Sequence, residues 1–156
     1  MTGTHPSSSR LGAALIVASL ASVAAAWLGI ATEAPWETAF GLLFLVFLFG
    51  TPIALLHALL FGLPAYLALR GRWPLRRWIA ALAGFVIGAL PTALLSLDPG
   101  YEFYRQGQQV LVYNGYYTTA GWLSVLSGAV ISGLYGVVGG LAFWLVLRGA
   151  KESPSE

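Results

Sequence analysis

A chain of 156 residues is long enough for one ordinary soluble domain, yet 58% of its residues are apolar and only 9% are charged. With a mean hydropathy of +0.76, this composition excludes a surface built to face water and indicates an integral membrane protein. The chain has a net charge of +2 and no cysteine, which excludes disulfides, thiolate nucleophiles and cysteine-ligated metals.

Four apolar runs are each long enough to cross a bilayer, because a hydrocarbon core about 30 Å thick requires about 20 mostly apolar helical residues. The runs are Leu11 to Ile30, Ala39 to Leu69, Trp78 to Leu97 and Gly121 to Leu147. We therefore predict an all-α membrane protein. A single four-transmembrane-helix bundle covers residues 11–149, with a loop at 98–120 between the last two helices. Polar tails at 1–10 and 150–156 flank it.

The first run has two interpretations. Arg10, the apolar stretch after it and the small residues Ala24, Ala25 and Ala26 also fit a cleaved signal peptide. The apolar run continues past these alanines, which favours a retained helix, and cleavage would leave the orientation of the other three helices unchanged.

Prolines predict irregularities in the second and third helices. The second run is longer than one crossing requires and contains Pro52 and Pro64, so a kinked or strongly tilted helix is expected. Pro91 predicts a kink near the end of the third helix, because its ring removes one backbone hydrogen bond.

The distribution of charge predicts the orientation, since Lys and Arg in short loops are retained on the cytoplasmic side. One side of the four-helix arrangement carries Arg10, the cluster Arg70, Arg72, Arg76 and Arg77, Arg148 and Lys151. The other side carries Glu33, Glu37, Asp98 and Glu102, with Arg105 as its one basic residue. Both termini are therefore predicted to be cytoplasmic. The arginine-rich turn and glycine-rich last helix are similar to those of many small bacterial inner-membrane proteins, which gives the expected location but no named family.

Each predicted helix carries small residues at every fourth position, on one face. In lipid, close backbone approach and interhelical hydrogen bonds hold helices together, so these faces are predicted to pack rather than to line a pore, which needs polar side chains. Ser127, Gly133 and Gly139 would let the last helix pack on two sides. The four stripes are Ala14, Ala18, Ser22 and Ala26; Gly50, Ala54, Ala58 and Gly62; Ala80, Gly84, Gly88, Thr92 and Ser96; and Ser124, Gly128, Ser132, Gly136 and Gly140.

His57 lies deep in the second span, on the small-residue face, where a polar side chain is by default a candidate for function. One interpretation is a neutral imidazole that fills space and hydrogen-bonds a hydroxyl or carbonyl. The other is a proton-sensitive or ligand-binding residue. Its expected neighbours at the same depth are Ser19, Gly84, Gly88, Tyr135 and Gly139.

The outer loop has the signature of a β-hairpin. Val110 to Tyr113 and Tyr116 to Thr119 flank Asn114-Gly115, a dipeptide that adopts positive φ at both turn positions. Exposed tyrosines indicate contact with another surface, so the hairpin either caps the bundle on the lipid headgroups or binds a partner. The candidate partner-binding residues are Tyr101, Tyr104, Tyr113, Tyr116 and Tyr117.

The charged residues have less specific interpretations. Arg70, Arg72, Arg76 and Arg77 are candidates for binding anionic lipid headgroups, although such clusters more often only fix topology. The outer residues Glu33, Glu37, Asp98 and Glu102 form either a weak cation site or, as is commoner without His or Cys, a solvated acidic rim. No metal or cofactor is expected.

These patterns predict a membrane interaction or structural protein, such as an accessory subunit, assembly factor or immunity-type protein, that meets a protein partner through its outer aromatic loop. The alternative is a small oligomeric transporter or channel component with His57 near the middle of the path. A membrane enzyme acting through Asp98 is disfavoured because no acid, base and nucleophile converge. The expected partners are membrane lipids and a protein partner or second copy, without nucleic acid.

Overall fold

The computed structural model describes residues 7–69 and 76–148. Its helices are α1 (Ser8–Glu33), α2 (Trp36–His57), α3 (Leu63–Leu69), α4 (Arg77–Leu95) and α5 (Thr119–Arg148). Its strands are β1 (Phe103–Gln106), β2 (Gln109–Tyr113) and β3 (Tyr116–Tyr117). Most of the predicted tails, together with Arg70, Arg72 and Lys151, lie outside the described residues.

The four predicted runs correspond to four helical spans. A π-helical turn, Ala58–Gly62, joins α2 to α3, so that these elements form one continuous span, Trp36–Leu69. This span, α1, α4 and α5 are each long and apolar enough to cross a membrane. Each end lies within one helical turn of its predicted position, so the helical part of the fold-class prediction is confirmed.

The π-helical turn shows how the second span accommodates Pro64. Proline has no N–H to donate, and its ring clashes with the carbonyl four residues earlier in an α-helix. In the wider turn, the N–H of Leu63 instead bonds the carbonyl of Ala58, five residues back. Pro64 then falls in the first turn of α3, where its missing N–H costs little. Pro52 and Pro91, in contrast, lie inside α2 and α4 without ending them.

The last helix, α5, lies between α4 and α1 and packs against both. At the α4 interface, the backbones touch directly. A Cβ added to Gly136 would overlap the carbonyl of Gly84, and one added to Gly84 would overlap the carbonyl of Gly136. Gly140 meets Ala80 in the same way. The predicted packing is therefore confirmed for the part of the two stripes around Gly84 and Gly136, whereas a Cβ on Gly128 of the predicted α5 stripe would meet no atom within 4 Å.

A second face of α5 packs against α1. Gly139 lies against the Ser22 hydroxyl and the Ala18 carbonyl of α1, where a larger side chain would not fit. The two-sided packing predicted for the last helix is thus also present, and α5 links α1 to α4.

The distribution of residue sizes between core and surface is that of a lipid-facing bundle. The buried apolar residues of the helices are mostly alanines, such as Ala14, Ala18 and Ala80. Large side chains point outward instead, including Phe44 and Leu95, which are 70% and 84% exposed. Because lipid solvates large apolar side chains as well as a protein core does, small residues remain inside, where they let helices approach.

The small-residue stripe of α2 differs from the prediction. α2 packs on α1, with Gly50 beside Val23 and the indole N–H of Trp27 donating a 3.0 Å hydrogen bond to the carbonyl of Ala39. Its continuation approaches α4 through the π-helical turn, where a Cβ on Gly62 would lie 3.8 Å from the Ile87 side chain. Between these contacts the stripe borders a cavity rather than a neighbouring helix.

The outer loop forms a three-stranded antiparallel sheet in the order β1-β2-β3. The predicted hairpin is confirmed as β2 and β3, and Asn114 and Gly115 have the expected positive φ of 49° and 76°. The additional strand β1 was not predicted. It pairs with β2 through a turn in which Gly107 has a φ of +59°.

Candidate functional site

The outer sheet is fixed to the start of α5 by a β-bulge. Tyr104 pairs with Val112 and the next residue, Arg105, pairs with Val110, so Leu111 is the extra residue of β2. In a regular strand, Leu111 and Val112 would point to opposite faces, but both are buried here, at 7% and 2% exposure. The bulge thus lets two successive apolar side chains anchor the sheet.

Thr118 connects the sheet to the helix. Its hydroxyl lies 2.7 Å from the carbonyl of Val110 and 3.2 Å from that of Leu111, while its oxygen accepts a 3.1 Å hydrogen bond from the backbone N–H of Gly121. This oxygen therefore serves as a cap for the first turn of α5 and as a link to β2. Gly121 lies directly against the carbonyl of Leu111, where no side chain would fit.

Three aromatic side chains form a row across the outward face of the sheet. Phe103 pairs with Tyr113, which in turn pairs with Tyr116 on the third strand. Paired residues of neighbouring strands point to the same face. All three are exposed, at 57%, 60% and 79%. Phe103, Tyr113 and Tyr116 are called the aromatic row below.

The other predicted partner-binding tyrosines lie away from this row. Tyr117 pairs with Val112 on the opposite face and packs against Trp122, with ring centroids 5.0 Å apart. Tyr104 shares that face, and its ring stacks on Tyr101 at 5.8 Å. The sequence interpretation did not include Phe103 in the site because β1 was missed, although Gly107 between glutamines is a turn signal.

The second candidate site is a cavity of about 380 Å³ between the four spans. All five expected neighbours of His57 line this cavity with it, namely Ser19, Gly84, Gly88, Tyr135 and Gly139. The glycines and alanines that bring α4 and α5 together therefore also leave the space that α2 does not fill.

The His57 ring has one hydrogen-bond partner among the described residues, the carbonyl of Ile53, which lies 2.7 Å from Nδ1. A carbonyl oxygen only accepts hydrogen bonds, so Nδ1 carries the hydrogen. The Phe61 ring lies 6.0 Å away at a tilted angle. The carbonyl bond matches the space-filling interpretation of His57, yet the other ring nitrogen, Nε2, has no partner in the described chain.

Apart from Arg105 in β1, the arginines that the structure describes lie at one end of the bundle. Arg76 and Arg77 are exposed at the start of α4, and the Arg148 guanidinium lies 5.2 Å from the Trp144 ring at the end of α5. Because α1 and α4 run antiparallel to α5, Arg10 belongs to this end too. The two remaining members of the arginine cluster, Arg70 and Arg72, lie outside the described residues.

The acidic residues within the described part of the chain lie at the opposite end. Glu33 ends α1, Glu37 lies in the first turn of α2, and Asp98 accepts a 2.9 Å hydrogen bond from the backbone N–H of Gly100. Within residues 7–69 and 76–148, no three His, Asp or Glu residues are close enough to bind a metal ion. Asp98 therefore has a local role in shaping the turn after α4.

The fold and composition define a multi-pass membrane protein with a small sheet at one end of four spans. The chain matches no protein-family model, and comparisons with curated proteins and with solved structures give no match. Its function must therefore be argued from its own residues.

Proposed function

We propose that this protein is an interaction or structural protein of the bacterial cytoplasmic membrane, an accessory subunit, assembly factor or immunity-type protein, which binds a protein partner through the aromatic row. The observation that carries the proposal is the exposure of Phe103, Tyr113 and Tyr116 side by side on one sheet face. Tyrosine is enriched in binding hot spots because it offers a large rigid ring and a hydroxyl. The role requires no catalytic residues.

The way the sheet is held supports a binding role. Its inward face is anchored by the bulge and by Thr118, so the aromatic row is presented on a fixed scaffold. A surface ordered before it binds loses less conformational entropy on binding than a flexible loop does.

The positions of the tryptophans support contact with a protein rather than with headgroups. Trp36 and Trp122 are exposed within the first turns of α2 and α5, where indoles mark the membrane interface. The sheet packs on the residues that start α5, and the ring of Tyr117 in β3 contacts Trp122, so the sheet lies at the outer end of that helix. The polar tip, Gln106 to Gln109, favours water as well.

The proposed orientation has both termini in the cytoplasm, which the separation of the arginine end from the acidic end supports. Because the chain has no cysteine, single cysteines can be labelled without background. A membrane-impermeant maleimide is expected to label Gln108→Cys in intact cells and Ser8→Cys only after permeabilisation. The reverse pattern would contradict the orientation and the outward position of the sheet.

The partner proposal is tested by the mass of the tagged protein extracted from its own membrane in mild detergent. A stoichiometric second protein is expected, and replacing the aromatic row with serines should release it. Tyr101→Ser is the matched control, since this exposed tyrosine lies outside the row. Equal loss in the control, or a partner retained by the triple variant, would refute the assignment of the row.

The second candidate is a small oligomeric transporter or channel component, favoured by the cavity at His57. A homo-oligomer without a second protein in the same extraction would favour it. In that case His57→Ala should abolish uptake in a strain that depends on the protein, and unchanged uptake would exclude His57 from the path.

A further inference from the structure

The interhelical cavity is large for a space between packed helices. Voids larger than a water molecule are rare in protein interiors. Since a water takes up about 30 Å³ in the liquid, 380 Å³ has room for roughly a dozen water-sized groups. The cavity is also partly open to the exterior. α2 and its continuation approach α4 mainly at the π-helical turn, so molecules in the bilayer can enter beside that turn.

The cavity walls match an uncharged, mainly apolar molecule. Most of the lining is apolar, for example Ala54, Ala58 and Ala83. Among the residues that the structure describes, the lining contains no Lys, Arg, Asp or Glu. An apolar cavity excludes water, because each ordered water needs two to four polar partners. A charged head group would have no counter-ion. The surrounding solvent at this depth is lipid, which offers long apolar chains.

The imidazole of His57 on the cavity wall indicates which polar group the bound molecule carries. In the tautomer whose hydrogen is on Nδ1 and bonded to Ile53, the His57 ring presents Nε2 as a hydrogen-bond acceptor. An ester or ketone oxygen has no hydrogen to donate to Nε2. A hydroxyl group does have such a hydrogen and can donate it to Nε2.

We propose that the cavity binds one lipid-soluble molecule that carries a hydroxyl group. Its apolar chain lies along the alanines and glycines, and its hydroxyl donates a hydrogen bond to Nε2 of His57. Two natural sources share this chemistry, a diacylglycerol and a reduced quinone. The cavity does not include the aromatic row, so this proposal can be tested independently of the proposed protein partner.

The test uses the full chain purified in mild detergent, with a diazirine-bearing hexadecanol as the probe. Its methyl ether is the matched compound, because it keeps the chain but has no hydroxyl hydrogen. After irradiation, mass spectrometry should find the label on cavity-lining peptides. The alcohol should bind roughly two- to tenfold more tightly than the ether, the range expected for one hydrogen bond. This comparison needs no variant, so a folding defect cannot explain it.

Two substitutions locate the site. Ala54→Phe fills the cavity and should abolish labelling, whereas Ala68→Phe places the same ring on an exposed position of the same span and should not. His57→Leu should lower binding of the alcohol to the level of the ether and leave the ether unaffected. Label on outward-facing residues, or equal labelling of both phenylalanine variants, would overturn the site. Equal binding of alcohol and ether would overturn the role of the hydroxyl.

Competition distinguishes the two sources. Displacement of the probe by a diacylglycerol at lower concentration than by a quinol would identify a neutral lipid as the occupant, and the opposite order would identify the quinol. Displacement by neither would overturn the assignment to a natural hydroxyl-bearing lipid.

Discussion

Replacing Gly136 by alanine should destabilise the bundle through a single added methyl group. The new Cβ would overlap the carbonyl of Gly84 on α4, which is backbone and cannot rotate away as a side chain can. Relieving the overlap requires α4 and α5 to separate, and forced overpacking of this kind costs about 1–3 kcal/mol. Alanine also stabilises a helix by about 1 kcal/mol more than glycine does, and this gain partly offsets the cost of the overlap.

Gly128→Ala separates these two effects. Gly128 lies two turns earlier on α5, and a Cβ there would have no atom within 4 Å. Both variants share the helix-propensity term, so the difference between them isolates the interface and should be about 1–3 kcal/mol, with Gly136→Ala the less stable. Unfolding of the purified protein in mixed micelles, followed by circular dichroism, measures both. Equal stability of the two variants would refute direct backbone contact between α4 and α5.

Three further predictions concern other contacts. Thr118→Val removes the hydroxyl that links β2 to α5 and should lower the free energy of local opening by about 1 kcal/mol for each lost hydrogen bond. Amide exchange in β2 and at Gly121 should therefore become faster, whereas Thr119→Val should leave it unchanged. Gly115→Ala forces a side chain onto a φ of 76° and should cost about 1 kcal/mol, seen as faster exchange of the β2–β3 amides with the helices unchanged. Trp27→Phe keeps an aromatic ring but loses the bond to Ala39, so it should lower stability by about 1 kcal/mol and raise proteolysis between α1 and α2; unchanged proteolysis would contradict this link.

Much of the fold could be predicted because each helix carries its own signal. Apolar length located the spans, and four-residue spacing placed Gly84 and Gly136 on packing faces. The Asn114-Gly115 turn was equally local. These features depend on neighbours in sequence, so composition and periodicity suffice to identify them.

The remaining features depend on contacts between distant segments. β1 was missed because Phe103 to Gln106 becomes a strand only through pairing with β2, and the bulge at Leu111 exists only in that pairing. Pro64 signalled an irregularity in the second span, but its position, a π-helical turn ending at Gly62, could not be read from the proline alone. The sequence placed His57 on the small-residue face of its helix but did not predict the cavity beside it, because that space arises from how α2 is placed against the other helices.

The position of α5 between α1 and α4 has a consequence for biogenesis. During synthesis α1 and α2 enter the membrane first and can pair at once, whereas α4 has its main packing partner in a helix that has not yet been made. The glycine faces of α4 are therefore exposed to lipid until the ribosome delivers the final span. The bundle closes only when α5 inserts between α1 and α4, so a membrane chaperone would have its longest opportunity to act on α4.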